Sequence, residues 1–181
     1  MLASSSTPSS LPICIIGAGG IVNDAHLPAY KIAGYNVHGI FDVDVVKAKA
    51  TAEKFSIPSY YTSLQEMITA APANAVFDMA VPGSQTIAVL QQLPDEATVL
   101  LQKPMGENFE EAKKILQICR QKKMMAAVNF QLRYAPYILA AKKIIADGSI
   151  GAINDVEVNV NVFTPWHLWN FLNGAPRVEI L

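Results

Sequence analysis

The segment from Ile13 to Val22 constrains the fold of this chain more strongly than any other. It has the sequence Ile-Cys-Ile-Ile-Gly-Ala-Gly-Gly-Ile-Val, so four apolar residues run into a group of glycines and then into a segment of helical character. A strand that enters a glycine turn and then a helix presents free backbone N–H groups to a pyrophosphate. The segment therefore predicts a nucleotide-binding α/β fold.

Short apolar runs alternate with longer segments of helical period over most of the chain, a pattern typical of strand-helix-strand units and a parallel sheet. Because helices cover both faces of such a sheet, its strands need no polar alternation. We predict strands over Ile13–Ile16, Val37–Phe41, Ala75–Val81, Thr98–Leu101 and Met125–Phe130.

Two predicted helices have clear boundary residues. Asn108 is followed three residues later by Glu111, which is the spacing of a capping box at a helix start. A later helix begins near Pro136 and ends at Gly148, because glycine can take the left-handed conformation that closes a helix.

A different strand pattern follows the nucleotide-binding domain. From Asp155 to Val162, valines alternate with Asp, Glu and Asn, which predicts a half-exposed strand of a new, antiparallel sheet. We expect a flexible tail over 1–10, a nucleotide-binding domain over 11–128, and over 129–181 the start of a second α/β domain that too few residues remain to complete. Since an unfinished sheet leaves an open edge, we expect a homo-oligomer.

Composition narrows the class of protein. Lys and Arg number 14 against 15 Asp and Glu, which disfavours nucleic-acid and anionic membrane partners. No apolar run is long enough to span a membrane, and no cation precedes Lys31 to begin an export signal. Cys14 and Cys119 lie in apolar runs and are expected to be small buried residues rather than a disulfide. We therefore expect a soluble, cytoplasmic protein.

The glycine turn has the positions of a dinucleotide-binding fingerprint. Gly17 permits the tight turn, Gly19 lets phosphates approach the backbone, and Val22 takes the third position, where Gly or Ala is usual. Gly20 and Ile21 lie between them at the helix start. We predict that these five residues contact the cofactor.

Asp42 ends the second predicted strand, about twenty residues after the third fingerprint position, where an acid accepts hydrogen bonds from the ribose hydroxyls. A 2′-phosphate would meet the carboxylates of Asp42 and Asp44 with no cation before Lys47, which favours NAD over NADP. Flavin proteins and methyltransferases also place a glycine turn after a first strand, so the glycines alone leave those classes open.

Two later turns follow strands at the carboxyl edge of the sheet, where ligands bind in open α/β folds. Val81 and Pro82 form one of them, and Gln102-Lys103-Pro104 forms the other. We predict cofactor contacts at Val81, Pro82 and Gln102, and a functional ammonium at Lys103, for which an ordinary surface lysine is the alternative.

With these motifs the chain resembles the Gfo/Idh/MocA family of sugar and polyol oxidoreductases. The resemblance rests above all on Gln102-Lys103-Pro104 with its capped helix. It also rests on the glycine turn, on Ala25-His26-Leu27-Pro28-Ala29, on Val81-Pro82, and on the segments 128–134 and 147–151. It implies a Rossmann domain that binds NAD or NADP, a second α/β domain with an open antiparallel sheet, and hydride transfer to or from a sugar, polyol or related alcohol.

The resemblance also implies site residues. Lys103 corresponds to the lysine of the family's Glu-Lys-Pro motif and is expected to be catalytic, contacting the substrate hydroxyl and stabilising negative charge there. Gln131 and Arg133 follow the last strand and are expected to reach the substrate or the nicotinamide, with a surface ion pair as the alternative for Arg133.

The chain departs from the family pattern at three places. Gln102 replaces the glutamate, Gln85 and Thr86 stand where many members have a histidine, and we expect the chain to end before the family's acid-base histidine, for which His167 lacks an acid partner. A non-catalytic dinucleotide-binding module, or an inactive fragment, is therefore the alternative function.

Two further features lie outside the family motifs. Asp78 interrupts an apolar strand, so we expect it to have local hydrogen-bond partners. His26 and His38 form no metal-ligand spacing with either cysteine, so no metal site is predicted.

Overall fold

The computed structural model describes residues 11–159 and 161. The chain divides into two compact units, Met1–Asn129 and Phe130–Leu181. Their boundary lies one residue after the one that the change of strand pattern predicts. The predicted tail over 1–10 and His167 fall outside the described residues.

The first unit contains a six-stranded parallel sheet with helices between its strands, which confirms the predicted fold class. The strands are β1 (Ile13–Ile16), β2 (Val37–Phe41), β3 (Tyr60–Tyr61), β4 (Val76–Met79), β5 (Thr98–Leu101) and β6 (Met125–Val128). The helices are α1 (Leu27–Ala33), α2 (Val45–Phe55), α3 (Leu64–Ala70), α4 (Thr86–Gln92) and α5 (Phe109–Gln121). A π-helical turn, Val22–His26, leads into α1, and a 3₁₀ turn, Gly83–Gln85, leads into α4.

The order of the strands is β3-β2-β1-β4-β5-β6, so the direction of winding reverses between β1 and β4. Ligands bind outside the carboxyl ends of the strands at such a reversal. Five strands end in register, because Ile16 pairs with both Phe41 and Met79, Met79 with Leu101, and Leu101 with Val128. The residues that come next form what we call the edge row: Gly17, Asp42, Ala80, Gln102 and Asn129.

Apolar side chains cover both faces of the sheet, as the unalternating strands predict. Cys14 and Ile16 of β1 belong to one buried cluster, which includes residues of α3, α4 and α5. Ile13 and Ile15 belong to a second cluster on the opposite face, with Val22, Leu27 and Ala52. Alternate residues of one strand therefore anchor both helical layers.

The sheet differs from the sequence prediction at three strands. The two-residue strand β3 was not predicted, and β4 is shorter than the predicted run over 75–81. β6 ends at Val128 rather than Phe130, and Met125 and Phe130 are exposed. Apolar composition alone predicts neither the length nor the burial of an edge strand, because both depend on its neighbours.

Side chains fix the starts of two helices. Asn108 Oδ1 accepts a hydrogen bond of 3.0 Å from Glu111 N, which confirms the predicted cap of α5. The Glu111 carboxylate reaches back to Glu107 N at 2.8 Å, one residue before the cap. Asp44 Oδ1 caps α2 in the same way, accepting from Val46 N and Lys47 N.

The second unit, described by itself, contains a 3₁₀ turn, Gln131–Tyr134, and α6, Pro136–Ala146. Gly148 follows α6 with a φ of 75°, the left-handed closure that its sequence predicts. The strand predicted over 155–162 is wrong for the described residues 155–159 and 161, which lie outside any strand. Alternating residues form a strand only where a neighbouring strand pairs with them.

No helix in the described part of the chain is long and apolar enough to cross a membrane.

Candidate functional site

The glycine turn after β1 is closed by backbone contacts. Gly17 has a φ of 108°, and its N–H donates a hydrogen bond of 2.7 Å to the carbonyl of Phe41. A Cβ atom at this position would lie 2.3 Å from the carbonyl oxygen of Ala80. Only glycine therefore fits, on grounds of both conformation and space.

The space in front of Gly19 is open, since a Cβ atom there would meet nothing within 4 Å. At Gly20 the nearest atom to such a Cβ is Asp24 Oδ2, at 3.7 Å. Ile21, which precedes the π-helical turn, is exposed, whereas Val22 is completely buried in the second core cluster. The turn thus presents bare backbone outward and an apolar anchor inward, which fits a pyrophosphate.

Asn23 holds this turn from behind, a role that the sequence analysis did not assign. Its side-chain Nδ2 donates to the carbonyls of Ala18 and Gly19, at 3.1 and 3.2 Å, and lies 3.2 Å from Thr51 Oγ1 of α2. Because the Asn23 side chain bonds both to these carbonyls and to α2, it restrains the glycine turn. The turn is therefore less flexible than its glycines alone would make it. An asparagine in the first turn after the glycines was the available sequence signal.

Asp42, at the end of β2, is hydrogen-bonded to the same turn. Its Oδ2 accepts from Ala18 N at 2.7 Å, and its Oδ1 accepts from Asp44 N at 2.8 Å. Each carboxylate oxygen keeps acceptor capacity for a second donor. The carboxylate is half-buried, so it is both fixed in direction and accessible.

The positive charge nearest to this acid in sequence is already paired. Lys47 Nζ lies 3.7 Å from Asp44 Oδ2, and both side chains are largely exposed. An exposed ion pair of this kind contributes little to the stability of the fold. Asp44 nevertheless adds a second carboxylate two residues after Asp42.

The turn after β4 brings the predicted contacts Val81 and Pro82 to the same edge of the sheet. Val81 is half-buried against the first core cluster, and Pro82 is exposed. The Pro82 carbonyl accepts a hydrogen bond of 2.9 Å from Gln85 N, which closes the 3₁₀ turn before α4. Thr86, which stands near the position of the family's histidine, is buried at the start of α4.

Lys103 follows the edge row and precedes Pro104 through a cis peptide bond. Its side chain is exposed, and no acid pairs with its ammonium group within residues 11–159. The ammonium is therefore available to a ligand at the carboxyl edge.

A partly buried polar network includes Gln102, the residue before this lysine. Asp78 of β4 is completely buried, with His26 Nδ1 at 2.7 Å and Tyr30 Oη at 2.9 Å from its Oδ2. Gln102 Nε2 donates to Asp78 Oδ1 at 3.1 Å, and Asn129 Nδ2 donates to Gln102 Oε1 at 3.2 Å. Burial, together with the adjacent Asp78 carboxylate, raises the pKa of Tyr30 well above its usual range. The expected partners of Asp78 are therefore present, but they come from distant parts of the chain.

Gln131 and Arg133 lie in the 3₁₀ turn of the second unit, and both are exposed. Their contact with substrate remains a prediction. Among the described residues, no group of three or more His, Cys, Asp or Glu side chains is arranged to hold a metal ion. Cys14 and Cys119 are free and buried, as expected.

Comparison with known proteins assigns this chain to a family. A family model described as an oxidoreductase family with an NAD-binding Rossmann fold matches residues 11–130. The YceM protein of Salmonella typhimurium is 33% identical over 128 residues, which are 70% of this chain and 41% of that protein. Glucose-6-phosphate 3-dehydrogenase of Bacillus subtilis is 30% identical over 149 residues, or 81% of this chain and 41% of the enzyme. The crystal structure of an NAD binding oxidoreductase from Klebsiella pneumoniae matches with a TM-score of 0.67 and 26% identity, covering 79% of this chain and 40% of that one.

The chain spans about two fifths of the length of these relatives. The family match ends at residue 130, next to the boundary between the two compact units. NAD, the predicted cofactor, is the cofactor that the family's description names. Because the match includes the whole sheet, the glycine turn and Asp42, the chain belongs to the Gfo/Idh/MocA family of oxidoreductases with an NAD-binding Rossmann fold.

Proposed function

We propose that the first unit binds NAD at the edge row, and that the protein transfers hydride between NAD and an alcohol of the sugar or polyol class. The observation that carries this proposal is the hydrogen bond from Ala18 N to Asp42, which sets a half-buried acid beside the open face of Gly19. That pairing suits a ligand with a pyrophosphate and a ribose.

Two parts of the site would hold the cofactor. The open space at Gly19 would admit the pyrophosphate against the backbone N–H groups of the turn. The two Asp42 oxygens, each already accepting one backbone N–H, would each accept one ribose hydroxyl. Gly17, Gly20, Ile21, Val81, Pro82 and Gln102 are the remaining proposed contacts of this unit. Val22, the fifth residue predicted to contact the cofactor from the glycine turn, has a completely buried side chain and is proposed to support the turn from the core instead.

The charges at the ribose end support NAD over NADP. A 2′-phosphate would be placed against the carboxylates of Asp42 and Asp44, and the nearest cation, Lys47, is already paired with Asp44. Like charges in one site repel, so the doubly negative phosphate would bind poorly there.

Lys103 is the proposed catalytic residue. In the oxidative direction, the C–H bond of the carbinol breaks and its electron pair leaves as hydride, the O–H bond breaks and its proton passes to an acid-base group assisted by Lys103, and a C=O double bond forms. NAD, when bound, accepts this hydride. The Lys103 ammonium would donate a hydrogen bond to the substrate oxygen and stabilise the negative charge that develops there. The similarity to a glucose-6-phosphate 3-dehydrogenase supports a sugar-like substrate.

We also propose a cytoplasmic homo-oligomer. The exposed Met125 of the edge strand β6 supports the oligomer, since open strand edges favour association. The free, buried cysteines support the cytoplasmic location, since free thiols persist in reducing compartments. Light scattering of the purified chain would measure its mass in solution. A monomer at all concentrations would contradict the oligomer.

Calorimetric titration of the chain with NAD and, separately, with NADP tests the proposed cofactor site. We expect NAD to bind at least about tenfold more tightly, which corresponds to about 1.4 kcal/mol. A chain that is folded by circular dichroism but binds neither dinucleotide would overturn the proposal. Binding of NAD without reduction of NAD by any of a panel of sugars and polyols would favour the alternative, a dinucleotide-binding module.

A further inference from the structure

We propose that Gln102 is a positioning residue for Lys103, and that an amide is required at position 102 because it faces the buried carboxylate of Asp78. The role assigned to Lys103 rests on the proposed function. The pairing of Gln102 with Asp78 rests on the geometry of the network alone.

Gln102 is the one member of the edge row whose side chain bonds to strands on both sides of its own. Its Nε2 donates to Asp78 on β4 at 3.1 Å, and its Oε1 accepts from Asn129, directly after β6, at 3.2 Å. The amide therefore uses one donor and one acceptor at the same time, in opposite directions. An ionised glutamate of the same length offers acceptors only, and a methionine offers no hydrogen-bond donor.

The Asp78 carboxylate determines which end of the amide faces it. Asp78 is completely buried, and its other oxygen is occupied by His26 and Tyr30. The oxygen that faces position 102 therefore needs a donor from that side chain. An ionised glutamate at position 102 would offer only acceptors, so two carboxylates would meet at about 3 Å unless one took up a proton.

This pairing fixes the backbone that carries Lys103. Gln102 N donates to the Met79 carbonyl at 3.3 Å, and Asn129 N donates to the Leu101 carbonyl at 2.8 Å. With its side chain also held on both sides, residue 102 has little freedom to rotate. Lys103 itself is exposed and has no side-chain partner in the described part of the chain, so its direction depends on the residue before it.

Four variants test the pairing: Gln102→Glu, Gln102→Met, Asp78→Asn, and the double variant Asp78→Asn/Gln102→Glu. The double variant exchanges amide and carboxylate. The new amide at position 78 donates to the new carboxylate, its oxygen still accepts from Tyr30 and His26, and Asn129 still donates to position 102. All the hydrogen bonds of the network are thus kept, and only the one between positions 78 and 102 runs in the opposite direction.

Thermal unfolding between about pH 4 and pH 8 is the first measurement. Because two facing carboxyl groups must share a proton, we expect the midpoint of Gln102→Glu to fall increasingly below that of the native chain as pH rises. Gln102→Met should lower the midpoint with a weaker dependence on pH than Gln102→Glu, since it removes the bonds but adds no second carboxyl group. Asp78→Asn should have the smallest single effect, because the amides of Gln102 and Asn129 can both rotate and restore complementary bonds. The double variant should regain the native pH dependence.

Amide hydrogen exchange is the second measurement, because it reports on the backbone next to Lys103. At pH 8, Gln102→Glu should speed exchange at position 102 and at Asn129 by about ten- to a hundredfold, and the double variant should restore protection. The amide of Ile40, bonded to the Ser59 carbonyl at 3.1 Å, is the distant control and should not change. Where turnover is present, its kcat should fall in Gln102→Glu and recover in the double variant.

A Gln102→Glu chain with native midpoints and native exchange at pH 8 would overturn the proposal, as would a double variant that is no better than Gln102→Glu. Failure of the native chain to bind NAD would overturn the proposed function instead. The unfolding and exchange measurements need neither NAD nor substrate, so the two failures are distinguishable.

Discussion

Asp42 Oδ2 lies 2.7 Å from the backbone nitrogen of Ala18, so the acid that ends β2 is tied to the glycine turn that follows β1. The same carboxylate group accepts from Asp44 N through its other oxygen. One side chain therefore sets the shape of the turn and presents acceptors beside it. Ligand affinity and local structure should respond together when it is changed.

Replacing Asp42 with alanine should weaken NAD binding about 100- to 10,000-fold, because it removes two proposed ribose hydrogen bonds and each bond to a charged acceptor contributes about 1.5–3 kcal/mol. Calorimetric titration measures this loss. Asp44→Ala is the matched control, since it removes the cap of α2, at about 1 kcal/mol of unfolding free energy, but leaves the bond between Ala18 and Asp42 intact. Equal effects of the two substitutions on NAD affinity would contradict the assignment of Asp42.

Alanine should lower the stability of the fold at position 17 and the affinity for NAD at position 19. Gly17→Ala should destabilise the fold by several kcal/mol, because its new Cβ would lie 2.3 Å from the Ala80 carbonyl oxygen at a φ of 108°. Gly19→Ala should leave the unfolding midpoint nearly unchanged and weaken NAD binding, because its Cβ would occupy only the open space proposed for the pyrophosphate. A Gly19→Ala chain with native affinity would show that the pyrophosphate lies elsewhere.

Lys103→Met should slow reduction of NAD by substrate strongly while sparing NAD binding and thermal stability. Its ammonium has no partner within residues 11–159, so its removal breaks no internal contact. Loss of one group that stabilises developing charge typically costs about 100- to 1000-fold in kcat. Lys113→Met, which removes another exposed lysine, should leave turnover unchanged. Similar rates for the two variants would return Lys103 to the status of a surface residue.

The two cysteines should be unreactive in the folded chain. Burial raises the pKa of Cys14 to about 11 and also raises that of Cys119. A thiol with a pKa of about 11 is about 0.1% ionised at pH 8, and the thiolate is the reactive form. A disulfide reagent should therefore modify neither residue in buffer and both in urea. Rapid modification in buffer would indicate that the core opens readily.

The cap of α5 should matter more than the ion pair beside it. Asn108→Ala should lower the free energy of unfolding by about 1 kcal/mol, because Glu111 N loses its acceptor. Glu110→Ala breaks a 3.0 Å pair with Lys113, but both side chains are exposed, and the change should be within about 0.5 kcal/mol. Urea titration of both variants measures the difference.

The sequence predicted those parts of the fold whose signals are local. β1, β2 and β5 have their predicted bounds, since each is a buried apolar run that ends at a turn. The two-residue strand β3 is too short to show an apolar pattern and is defined by its pairing with β2. The alternating residues 155–159 lie outside any strand, because alternation alone does not provide a neighbouring strand. Both depend on tertiary partners that spacing does not reveal.

The same distinction holds for the site. The glycines and Asp42 were recognisable because their spacing along the chain is fixed by one strand-helix-strand unit. The partners of Asp78 were not, since His26 and Tyr30 precede it by 52 and 48 residues and Gln102 follows it by 24. An acid in an apolar strand indicated that partners exist without identifying them.

The Asp78 network also bears on how this domain comes apart. His26 and Tyr30 belong to the half of the sheet built from β1, β2 and β3, whereas Asp78 belongs to the half built from β4, β5 and β6. If the halves separated, the buried Asp78 carboxylate would lose two of its three side-chain partners in one event, in addition to the ladder between β1 and β4. Unfolding of one half without the other is therefore costly in free energy, and the two halves should unfold as a single cooperative unit. The slowest-exchanging amides of both halves should then report the same free energy of opening.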